Sequence, residues 1–71
     1  MAINSRKLKQ LGARVKQFRK EKGLTQEQLA DKIHVSSTYV GFIEQGQRNP
    51  SITTADKIAR ALGVKLSELF D

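Results

Sequence analysis

Apolar residues recur along the chain at helical spacing, and no segment shows the sustained alternation of a strand bounded by turn signals. Leu8, Leu11, Val15 and Phe18 share one face of a segment that Ser5 can cap and Gly23 can stop, which predicts a first helix over 6–22. Thr25-Gln26-Glu27-Gln28 then has the form of a capping box, and Leu24 and Leu29 are spaced as a hydrophobic staple. The second helix is short, 26–33, and turns Leu29, Ala30 and Ile33 inward. Ser36 is a candidate cap for a third helix over 37–45, with Tyr39, Val40 and Ile43 on its buried side and Gly46 as its stop. A polar loop, Gln47-Arg48-Asn49-Pro50, follows. Beyond it Ile52, Ala55, Ile58, Ala59 and Leu62 form the stripe of a fourth helix, for which Ser51 and Thr53 are alternative caps and Gly63 is the stop. Val64-Lys65 leads into a last turn or short helix holding Leu66, Leu69 and Phe70. Five helices with short connections predict a compact all-α fold, one domain over 1–71.

Charge adds a partner class. The net charge is +6, and it is uneven: residues 1–23 carry eight Lys or Arg and one acid, residues 24–71 five and six. Such an excess suits a polyanion, either nucleic acid or an anionic membrane surface, or serves solubility alone. Arg6 and Lys7 sit in the first turn of the first helix, where the dipole disfavours cations unless a phosphate lies near.

Several classes of function find no support. The chain has no Cys, so disulfides, thiolate metal sites and a Cys nucleophile are excluded, and a reducing cytoplasm is the expected compartment. No apolar run approaches the ~20 residues of a membrane span, and residues 1–5 lack a secretory signal. A single His, no glycine-rich phosphate loop and scattered acids argue against an enzyme, and neither a metal nor another cofactor is expected. The basic first helix resembles a membrane-surface helix in pattern, but its apolar stripe is needed by the core of so small a domain.

Two short helices joined by a few residues form the unit that sets a helix into the major groove, so Gln26 to Gln45 is read as a helix-turn-helix. Ala30 is small where the two helices must approach closely. The text Leu24-Thr25-Gln26-Glu27-Gln28-Leu29-Ala30, then Tyr39-Val40, Ile43-Glu44-Gln45-Gly46 and Ala59-Arg60-Ala61-Leu62-Gly63-Val64 resembles the lambda-type repressor and Cro family, over Leu11 to Phe70. Thr38-Tyr39-Val40, Ile43-Glu44 and Arg48-Asn49 are similar to controller proteins of restriction–modification systems.

The resemblance implies a five-helix lambda-repressor-like domain and a regulator of transcription that binds double-stranded DNA as a homodimer, without a small-molecule ligand. It gives Gln26 the role of a phosphate clamp at a helix N-terminus. Ser36, Ser37 and Thr38 match positions at the start of the recognition helix, and the short hydroxyls can meet any base. Tyr39 is either a backbone or thymine-methyl contact or a partly buried aromatic. Gln47, Arg48 and Asn49 match loop positions on the DNA backbone; Arg48 suits either guanine or phosphate. Arg19 and Glu44 match a buried ion pair of structural role. Val64, Leu66 and Phe70, with Ile52, match the dimer surface; Leu69 matches a core position, which leaves Leu66 and Phe70 as the expected exposed pair.

Two positions depart from the family pattern. His34 stands where Gly is usual in the turn. Gly41 interrupts the recognition helix beside Phe42, where a polar reader is common. Either Gly41 admits a close sugar-phosphate backbone and Phe42 touches a thymine methyl, or Phe42 packs on the N-terminal segment or a partner chain. An antitoxin or bridging module, with a protein as main ligand, is the alternative to a stand-alone regulator.

Overall fold

Tight helix stops, each followed by a short connection, bend the chain into four α-helices and a closing 3₁₀ turn. The computed structural model describes residues 5–70. The helices are α1 (Ser5–Glu21), α2 (Gln26–Ile33), α3 (Ser37–Glu44) and α4 (Ile52–Leu62), and the turn is Leu66–Leu69. Residues 1–4 and 71, included in the domain read over 1–71, lie outside the described residues. Ser5, expected as the cap of the first helix, is already helical. The expected fifth helix is a 3₁₀ turn. The N–H groups of Glu68 and Phe70 donate three residues back, to Lys65 and Ser67, in place of the i→i−4 bonds of an α-helix.

Local side chains start each of the later helices. Gln28 N–H donates to the Thr25 hydroxyl at 3.0 Å, and Thr25 N–H donates back to Gln28 Oε1 at 2.9 Å, completing the capping box. The Ser36 hydroxyl accepts from Tyr39 N–H at 3.0 Å. The Ser51 hydroxyl accepts from Thr54 N–H at 3.1 Å, which selects Ser51 over Thr53 as the cap of α4.

All four helices stop in the same way. A left-handed residue closes an i→i−3 bond, and the next N–H reaches back five residues, the Schellman pattern. Three of these residues are Gly23, Gly46 and Gly63; the fourth is His34, at φ 61°. Its N–H donates to Asp31, and Val35 N–H donates to Ala30 at 3.0 Å. The departure at position 34 therefore keeps the turn geometry, and a side chain takes a conformation that costs an L-residue about 1–2 kcal/mol.

The core is one cluster built from Leu11, Val15, Leu29, Val40, Ile58 and Leu69 among others, drawn from every element. Ala30 is buried within it, between two helices that pack closely. Gly12 makes a second close approach. A Cβ there would collide with the carbonyl oxygen of Ile43 and lie 2.6 Å from that of Glu44. The backbone of α1 thus rests directly against the end of α3, and the orientation of α3 depends on a residue without a side chain.

Candidate nucleic-acid interface

Helix α3 divides into an inner and an outer face. Val40, Ile43 and Glu44 are buried, and Ser37, Thr38, Phe42 and Gln45 are exposed. Thr38, Phe42 and Gln45 follow one another at i, i+4 and i+7, so they form one outward stripe. Past the Gly46 stop, Gln47, Arg48 and Asn49 are exposed as well, and buried Pro50 anchors the loop. Small polar groups, one aromatic ring and one guanidinium therefore stand on and just beyond a single short helix.

A buried charge network holds that helix in place. Arg19 Nε donates to Glu44 Oε2 at 2.6 Å and its Nη2 to Oε1 at 3.1 Å, a bidentate pair between α1 and the end of α3. Arg19 Nη1 donates to the Leu24 carbonyl at 2.7 Å, and Gln26 Nε2 donates to Glu44 Oε1 at 3.0 Å. Arg19 and Glu44 together thus tie α1, the loop before α2, α2 and α3. Among the described residues no buried side-chain N or O atom lacks a partner.

The structure places several of the expected site residues against the protein itself. Gln26, expected to clamp a phosphate, turns its amide inward to Glu44, because the buried carboxylate has an oxygen to satisfy and Gln26 opens the facing helix. Sequence reading missed this bond; the spacing of Arg19, Gln26 and Glu44 gives no local signal for a three-member network. The Ser36 hydroxyl is engaged as a cap. Tyr39 packs against the core, the partly buried alternative of its two readings. Leu66 and Phe70, expected as an exposed pair, are half-buried against the core together with Val64. The physical reason is the 3₁₀ turn, which packs on both α1 and α4 and carries its apolar residues onto the core with it. Ile52, at 69% exposure, is the most exposed large apolar residue described.

Basic groups also occur away from α3. Lys22, Lys32, His34, Lys57 and Arg60 surround an open hollow of about 570 Å³, to which α3 contributes nothing. Lys32 and Arg60 stand in last turns, where they complement helix dipoles. No group of His or acidic side chains suited to a metal occurs among the described residues, and no helix is long and apolar enough to cross a membrane.

Two short helices set by a left-handed turn, the second with a polar outer face, define a helix-turn-helix protein. The chain belongs to that family: the family model described as "Helix-turn-helix" matches residues 15–69. Among its relatives, the immunity repressor of Bacillus phage phi105 is 44% identical over 59 residues; these are 83% of this chain but only 41% of that repressor. The crystal structure of the restriction–modification controller protein C.AhdI from Aeromonas hydrophila is 43% identical, with a TM-score of 0.85, over 89% of this chain and 96% of that one. The biofilm regulator SinR, solved in complex with DNA, is 40% identical, with a TM-score of 0.81, over 86% of this chain and 98% of that one. The resemblance to repressors and controller proteins thus holds across most of the described fold.

Proposed function

We propose that this protein is a transcriptional regulator that binds double-stranded DNA by sequence, with α3 in the major groove. The carrying observation is the outer face of α3, exposed at Ser37 and Thr38 and held from behind by the Arg19–Glu44 pair. A helix presented this way meets base edges with its N-terminal residues. Ser37 and Thr38 read bases, and Arg48 and Asn49 hold the DNA backbone, the Arg48 guanidinium also being suited to guanine. The backbone amides at the start of α2 meet the same DNA backbone.

The protein acts as a homodimer in the cytoplasm and needs no cofactor or small-molecule ligand. Its longest extent is 28 Å, shorter than the ~34 Å between recognition helices one DNA turn apart, so one domain covers a half-site. Ile52 is the apolar residue best placed to join two copies, with the outer edges of Val64, Leu66 and Phe70 at the rim. Paired binding assays on specific and random duplexes test the assignment. Thr38→Ala should relax preference at one base pair with non-specific affinity kept, and Arg48→Ala should weaken every sequence, most strongly a site with guanine in reach. Equal effects of both variants on specific and random DNA would overturn the assignment of roles.

A further inference from the structure

We infer that Phe42 reads thymine methyl groups in the major groove and that Gly41 provides the clearance it needs; the inference rests on the DNA-binding reading above. Three partly exposed aromatic residues, Phe18, Tyr39 and Phe70, pack against the core. Phe42 does not belong to that set, and it is 38% exposed on the outer stripe of α3. Its uncovered edge lies on the stripe it shares with Thr38 and Gln45, and faces whatever α3 faces.

Gly41 points the same way. A glycine inside a helix costs about 1 kcal/mol relative to alanine, so it needs a reason. At Gly12 the reason is visible, since a Cβ would strike backbone. At Gly41 a Cβ would meet only the Gln26 side-chain amide, at 3.7 Å, an ordinary contact. The described part of the protein therefore does not require glycine there. A ligand that lies against α3 does, because each side-chain carbon at position 41 would hold it away.

The chemistry selects the methyl. Phe42 offers no hydrogen bond, and the one apolar feature that a base pair shows in the major groove is the thymine C5 methyl. Thr38 lies one turn earlier on the same stripe and adds its own methyl. The two are about 6 Å apart along the helix, close to two base-pair steps of about 3.4 Å. The site thus takes duplexes in which thymines, on either strand, fall within a few base pairs of one another under α3.

The experiment uses the full chain and a duplex recovered by selection from random sequences. Each thymine of that duplex is replaced in turn by deoxyuridine, which pairs with adenine unchanged and lacks only the methyl. Wild-type protein should lose affinity about four-fold at the thymine under Phe42, the value of one buried methyl. Phe42→Ala should bind the thymine and uracil duplexes alike at that position, and Phe42→Leu should retain part of the difference. Gly41→Ala should melt at or above wild type and yet bind the selected duplex more weakly. An undiminished uracil penalty in Phe42→Ala, or no uracil penalty in wild type, would overturn the inference. Failure to recover any enriched duplex would overturn the DNA-binding reading itself, a separate outcome.

Discussion

Glu44 does the work of three contacts with one carboxylate, accepting from Arg19 twice and from Gln26 once while almost fully buried. Its removal leaves the Arg19 guanidinium charged and without its main partner. Glu44→Ala should therefore destabilise the domain by about 3–5 kcal/mol, much of the stability available to a chain of this size. Chemical denaturation checks it; a midpoint within experimental error of wild type would show the pair to be dispensable. His34 is the opposite case, a residue that works against its own backbone. His34→Gly removes left-handed strain of about 1–2 kcal/mol but adds freedom to the unfolded chain, for a net gain of roughly 0.5–1 kcal/mol. Thermal melting should rise by several degrees, and a fall would mean that the imidazole makes a contact worth more than the strain.

At the scale of elements, the placement of α3 rests on close approaches as much as on the ion pair. Gly12→Ala would drive a Cβ into the Ile43 and Glu44 carbonyls. The expected loss is at least about 2 kcal/mol despite the better helix propensity of alanine, because a backbone neighbour cannot rotate away. Gly41→Ala, on the neighbouring helix, should gain about 1 kcal/mol. The same substitution thus has opposite signs at two helical glycines, and a pair of denaturation curves decides it. The helix-turn-helix was legible in the sequence because its signals are local: the Thr25–Gln28 box, the Ser36 cap, and the stops at Gly23, Gly46 and Gly63. Gly12 interrupts an apolar helical stripe, a pattern that itself signals a close approach, but the carbonyls it meets belong to a distant element. The inward turn of Gln26 and the half-burial of Leu66 and Phe70 were not legible. Both depend on which elements meet across the core, and spacing along the chain does not carry that information.

For the whole molecule, charge and symmetry set the behaviour in solution. Eight of the thirteen Lys and Arg residues lie in the first 23 positions. If cations of this set other than Arg19, which is buried against Glu44, meet phosphates together with Arg48, log K should fall with log salt by about 0.9 for each phosphate neutralised, and a flat dependence would contradict an electrostatic contribution. The dimer surface is tested by contrast. Ile52→Asp should give a folded monomer with weakened binding to a two-fold site, because Ile52 is exposed. Phe70→Asp should lower the melting temperature, because Phe70 leans on the core. A folded Ile52→Asp variant that sediments as wild type would move the interface elsewhere.

Sequence-specific recognition of duplex DNA by α3 is the claim on which the rest depends, and selection from a pool of random duplexes with this chain tests it most directly. Bound DNA should converge on a two-fold symmetric motif whose half-sites are centred about one helical turn apart. Repeating the selection with Thr38→Ala should loosen one base pair in each half-site and leave the spacing intact. Recovery of a pool as random as the starting one would contradict the account, and so would a motif that α3 substitutions leave unchanged.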